Sequence, residues 1–180
     1  MSVDQATLPE RMFDSSVLGV DPGTAAVGMA VVDSAGPRLS VRWAATFRTP
    51  AGLSGPDRLR GIHGAVRAAI AEHRPEVMAI ERLMWGRNTQ SAMDVSRATG
   101  VILLAASEAG LLVEEYPPLQ VKMAVTGVGN ATKETVRRSL TRVFWIDGVP
   151  AEPDAADAVA VAVCHLQHAR MRRLTREAAR

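Results

Sequence analysis

The chain has 180 residues, 47% apolar and 22% charged, with a formal net charge of +2. That is long enough for one domain burying roughly 70% of its unfolded surface, and cramped for two. No apolar stretch approaches the ~20 residues of a membrane span, and one cysteine, Cys164, excludes an internal disulfide or a cysteine metal cluster.

Met1 to Asp14 is polar and mixed, without a charged-then-apolar leader, and reads as a flexible tail. Val17 to Asp21 is a fully apolar run ending on an acid, expected to be a buried strand. Gly28 to Asp33 follows as a second strand. Ser34-Ala35-Gly36-Pro37 signals a turn into a third, Leu39 to Phe47. Pro50 to Pro56 reads as a loop, and Leu59, Ile62, Val66, Ala69 and Ile70 mark a helix over Asp57 to His73. Val77 to Glu81 is the fourth strand, again apolar and again closed by an acid.

After a loop over Leu83 to Asn88, Thr89 to Ala109 reads as a long helix stopped by Gly110. Leu111 to Tyr116 is the fifth strand, and Pro117 to Val125 a short helix. Gly127 to Asn130 is a turn, with Asn130 the expected cap of a helix over Ala131 to Val143. The last helix starts near Pro153, a residue favoured in a first helical turn, and runs to about Arg173. The order predicts an α/β fold, a five-stranded mixed sheet with helices on both faces. The expected division is a tail over 1–14, one folded domain over 15–170 and a basic tail over 171–180. The last eleven residues hold Arg170, Arg172, Arg173, Arg176 and Arg180 against a single acid, Glu177. Such a run suits a polyanion or the end of a solvated helix.

Four carboxylates stand at the ends of buried elements: Asp21, Glu81, and the pair Asp154 and Asp157. An acid in such a place is costly unless paired. Asp21 and Glu81 fit the ends of adjacent strands, and Asp154 and Asp157, three residues apart, share a helix face. Converged, four carboxylates call for divalent counter-charge, and an all-oxygen set suits Mg²⁺. Two ions ~3.5–4 Å apart clamp the attacking and leaving oxygens of a phosphodiester. Each acid has a plainer explanation: Asp21 as a turn residue before Pro22-Gly23, Glu81 as a partner of Arg82, Asp154 as a helix-start acid. Acids terminating two buried strands and opening one helix are unlikely by chance, which makes the joint explanation the better one. Val20-Asp21-Pro22-Gly23-Thr24 also resembles a phosphate loop of the actin-like ATPases, but that fold needs about twice this length. Gly127-Val128-Gly129-Asn130-Ala131-Thr132-Lys133 departs from the Walker pattern, and reads as a loop whose backbone approaches a DNA backbone. His63, His73, His165 and His168 are not needed as ligands.

Val17-Leu18-Gly19-Val20-Asp21-Pro22-Gly23-Thr24, Ala79-Ile80-Glu81 and Asp154-Ala155-Ala156-Asp157-Ala158 together resemble the RuvC Holliday junction resolvases. So do Arg87-Asn88-Thr89-Gln90-Ser91-Ala92, Gln120-Val121-Lys122 and the 127–133 loop, in the family's order and spacing. The resemblance implies an RNase H-like fold in a cytoplasmic homodimer. It implies an endonuclease for DNA recombination and repair, nicking two strands of like polarity symmetrically across a four-way DNA junction. It also implies Mg²⁺, with Mn²⁺ as substitute, two ions per subunit, and work beside the RuvAB branch-migration complex. Asp21, Glu81, Asp154 and Asp157 take the catalytic and metal positions, one ion activating water and the other steadying the leaving 3′-oxygen. Lys122 and Lys133 take DNA-contact positions, with Arg87 and Asn88 beside them. Where the family commonly places a base-contacting aromatic, this chain has Met84, followed by Trp85, and one of the two is expected to fill the role. Small residues at Ala92, Ser96 and Gly100, with Leu103, suggest a dimer seam. The alternatives are a non-catalytic junction-binding module, which would shift junctions without nicking them, and a small ATPase indifferent to DNA.

Overall fold

A computed structural model describes residues 16–35, 38–83 and 89–178. Five strands form one sheet: β1 (Ser16–Asp21), β2 (Ala26–Ala35), β3 (Arg38–Arg48), β4 (Val77–Glu81) and β5 (Leu112–Tyr116), in the order β3-β2-β1-β4-β5. The first three form an antiparallel meander, and β4 and β5 run parallel to β1. Five helices complete the chain: α1 (Gly55–His73), α2 (Thr89–Glu108), α3 (Pro118–Thr126), α4 (Lys133–Arg142) and α5 (Pro153–Ala178).

The strands are apolar on both faces because both are covered. Leu18, Val20, Met78 and Ile80 turn to one side and pack with Ile62 and Val66 of α1 and Ala98 and Ile102 of α2. Val17, Val77 and Ala79 turn to the other, against Val121, Leu140 and the run Ala158–Cys164 of α5. Helix α5 lies almost on the backbone of the sheet. A Cβ on Gly19 would stand 2.1 Å from the Ala158 carbonyl oxygen, and one on Gly28 only 1.9 Å from that of Asp154. Alanine-rich sequence on the helix and glycine on the strands make that approach possible.

The elements follow the sequence reading closely, with local corrections. Asn130 is not the cap of α4. Thr132 is, with extended backbone and a hydroxyl accepting from the Thr135 N–H at 3.2 Å, so the helix starts at Lys133. Helix α5 continues to Ala178, five residues past the expected end. A Cβ on Gly129 would meet the far end of the exposed Leu119 side chain, at 2.4 Å, which can swing aside. The Ala92–Leu103 seam does not lie on one open face. Ala92 is buried, whereas Met93, Ser96, Gly100 and Leu104 form the exposed row of α2. The turn at Gly36-Pro37, the tail 1–14, and Met84, Trp85, Arg87 and Asn88 lie outside the described residues.

Candidate active site

Strands β1 and β4 are parallel neighbours in register Val20↔Ile80, so Asp21 and Glu81 leave the sheet side by side at its carboxyl edge. Ligand sites of open α/β sheets form at that edge. Asp21 is also paired with Gly28 across β2. Because Gly28 has no Cβ, the first turn of α5 settles directly on it, and Asp154 and Asp157 arrive beside Asp21. The buried neighbours Ala155, Ala156 and Ala158 hold that turn in place. The positive end of the α5 dipole faces the same cluster.

The electrostatics show four charges in one place. The Asp21 carboxyl is pushed up from 3.8 to about 7, first by burial, then by Glu81 and Asp157, with a smaller push from Asp154. Glu81 is raised too, by burial and by Asp157. Two lysines oppose this. Lys133, the first residue of α4, donates from Nζ to Asp157 Oδ2 at 2.5 Å and lowers both Asp21 and Glu81. The Lys122 ammonium on α3 also lowers Glu81. Lys133 gains in return, its pKa rising through the bond to Asp157.

Asp154 has a cationic neighbour that the sequence did not reveal. Arg48, at the end of β3, lies 3.8 Å from Asp154 and 3.0 Å from Glu152. An arginine closing an exposed strand carries no sequence signal of its own; only the crossing of α5 over β2 and β3 makes it relevant. His165 has contacts that only the fold reveals. It is fully buried, its Nδ1 is 3.0 Å from Tyr116 Oη, and its Nε2 has no partner. It serves the packing of α5 on β5, away from the acids.

Among the described residues, no three acid, imidazole or thiol groups close into a ready coordination shell. The Lys133 ammonium is instead the cation seated against Asp157. The donor set nevertheless fits a hard divalent ion: all ligands are oxygens, and Asp21 carries repulsion that Lys133 leaves uncompensated. The structure thus brings together Asp21, Glu81, Asp154, Asp157, Lys122 and Lys133.

The family model "Crossover junction endodeoxyribonuclease RuvC" matches residues 17–165. RuvC of Moorella thermoacetica is 43% identical over 163 residues, covering 91% of this chain and 98% of the relative. RuvC of Pelotomaculum thermopropionicum is 43% identical over 152 residues, covering 84% and 93%. Thermus thermophilus RuvC, solved in complex with a Holliday junction substrate, superposes with a TM-score of 0.81 at 34% identity, over 87% of this chain and 96% of that one. The yeast mitochondrial Holliday junction resolvase shares the fold, with a TM-score of 0.68 at 12% identity. The α/β architecture is that of the RNase H-like resolvases, and this chain belongs to the RuvC family of crossover junction endodeoxyribonucleases.

Proposed function

We propose that Asp21, Glu81, Asp154 and Asp157 form the catalytic centre with which this Holliday-junction-resolving endonuclease hydrolyses phosphodiester bonds. The observation that carries the assignment is the carboxyl of Asp21, driven up to about 7 by burial and by the three other acids. A module that only binds junctions has no use for buried, mutually repelling carboxylates beside its DNA surface.

Nucleases of this family depend on a divalent metal, and the four acids are the residues that would hold it here, as two Mg²⁺ per subunit with Mn²⁺ able to substitute. Bound there, the metal supplies Lewis-acid stabilisation of charge and a water nucleophile at neutral pH. The chain supplies position. Asp21 and Glu81 are fixed by the sheet, Asp154 and Asp157 by the seat of α5 on Gly28. Lys133 balances Asp157. Once the acids are otherwise neutralised, its ammonium is available to a phosphate oxygen, as is that of Lys122. Met84, Trp85, Arg87 and Asn88 are assigned to DNA contact from the sequence alone. The products are 5′-phosphate and 3′-hydroxyl ends on two strands of like polarity.

Paired nicks need two such centres, so the working form is a homodimer, in which a two-fold axis can match that of the junction. The exposed row Met93, Ser96, Gly100 and Leu104 on α2 supports a seam there, with Met93 and Leu104 in place of the expected Ala92 and Leu103. We assign the nuclease domain to 15–170, with flanking segments over 1–14 and 171–180. Arg172 of the basic end turns back to hydrogen-bond Tyr116, which ties the start of that segment to the domain. No described helix is long and apolar enough to cross a membrane. Work in the cytoplasm beside RuvAB completes the proposal.

Asp21→Asn is the test. It removes an acid and no cation, so junction binding in a gel shift should persist while cleavage in Mg²⁺ disappears. Full cutting by this variant would remove Asp21 from the catalytic centre.

A further inference from the structure

Helix α4 begins in the active site with Lys133 and leads away from it. It buries Val136 and Leu140 and exposes Arg137, Arg138 and Arg142, so that four cations face one acid, Glu134. Glu134 reaches only Arg137, at 3.9 Å. Among the described residues, Arg138 and Arg142 have no carboxylate within ion-pair distance. They are four residues apart and therefore share a ridge.

The ridge ends in an unusual residue. Trp145 is 81% exposed and has a φ of 53°, in the left-handed region. That conformation suits glycine and is strained for a bulky side chain. The surroundings enforce it: the Phe144 N–H donates to the Ser139 carbonyl, the Ile146 N–H to the Leu140 carbonyl, and Ile146 is buried. Strain is thus spent on holding a large aromatic in water, beside Val143, itself 63% exposed. The burial of α4 gains nothing from the indole.

We propose that the outer ridge of α4 and Trp145 hold the backbone of a duplex arm of the substrate. This second DNA surface is continuous with the active site and rests on the reading of that site. Arg138 and Arg142 would take phosphates, and the indole would lie along deoxyribose with its N–H toward a phosphate oxygen. Three exposed arginines favour a polyanion over an apolar protein groove. The ten residues of α4 span about 15 Å at ~1.5 Å per residue. At ~3.4 Å per base step, the contact falls within about five base pairs of the cleaved bond.

The test uses the full chain carrying Asp21→Asn, so that binding is read without cutting, with added Arg138→Ala/Arg142→Ala or Trp145→Ala. Melting curves check folding, and Trp145→Gly should melt no lower than its parent because the strain is relieved. The arginine pair should weaken junction binding about tenfold and flatten the slope of log K against log salt by about 1.8, two contacts at ~0.9 each. Trp145→Ala should weaken it severalfold. Neutral methylphosphonates three to six nucleotides from the scissile phosphate should weaken the parent but not the arginine variant. Unchanged affinity and slope in the arginine variant would overturn the proposal, as would equal sensitivity of both proteins to the methylphosphonates. Full DNA affinity in Trp145→Ala, as expected if Trp145 serves a protein partner, would overturn it too. The catalytic reading is scored separately by cleavage with Asp21 as the only substitution, so the two can fail independently.

Discussion

Removing the charge of Asp21 should make the metal-free protein more stable while it destroys activity. The carboxyl is buried among three other acids and moves from 3.8 to about 7. At about 1.4 kcal/mol per pH unit, holding it ionised in the fold costs about 4 kcal/mol at most. Residual solvent access and screening bring the expected figure nearer 2 kcal/mol. Between pH 3.8 and about 7 the folded chain keeps a proton that the unfolded chain has released. Stability therefore falls as pH rises through that window, and the full cost is present above it. Asp21→Asn carries no such charge. In EDTA at pH 8 it should melt higher than wild type by roughly 4–8 °C, taking ~2–4 °C per kcal/mol for a chain of this size. The gap should shrink towards pH 5. Mg²⁺ should raise the melting temperature of the wild type more than that of the variant, since it stabilises what it binds. A variant that melts lower at pH 8, or a gap independent of pH, would refute the account of Asp21 as an acid held against its own repulsion.

Gly28→Ala sets a Cβ 1.9 Å from the Asp154 carbonyl and must displace the first turn of α5, so cleavage should fall about 100-fold. Gly64→Ala, where nothing lies within 4 Å, is the control and should cut normally in the same junction assay. Lys133→Ala frees Asp157 of its ion pair and, on the proposed function, removes one phosphate contact. Junction affinity measured across a salt series should fall, with the slope shallower by about 0.9. His165 is held down from 6.5 to about 4 by burial, then by Arg172 and His168. The unfolded chain therefore takes up a proton first as pH falls through 6.5, and stability is lost from there towards 4. His165→Phe should flatten that acid limb in melting curves; an unchanged limb would point to another group.

The strands and their acidic ends were legible because a four-residue apolar run closed by an acid marks where the buried interior meets its edge. Val17–Val20 and Val77–Ile80 are wholly apolar, and each strand takes in one acid as its last residue, Asp21 or Glu81, so both acids announce themselves. Helix α5 was legible in the same way, from Pro153 and the alanine-rich run. Caps were less so: Asn130 and Thr132 both have the chemistry, and only the backbone, with Thr132 extended, decides between them. The four-residue shift between Ala92 and Ser96 likewise fits a helix surface but does not say which side the sheet will take. In the structure Ala92 goes inward with Ala98 and Ile102.

Sequence by itself determined which residues are acidic, which runs are buried and in what order the elements come, and these suffice for the family and its chemistry. Tertiary structure decided everything that depends on distance between separate elements. Gly28 matters because α5 crosses it, and Arg48 matters because it ends a strand beside Asp154. Lys133 pairs with an acid 24 positions away, and Trp145 is held outward by hydrogen bonds to the end of α4. Periodicity and propensity act over a few residues, whereas charge coupling and steric approach act across the packed interior. The latter forces set the Asp21 carboxyl to about 7.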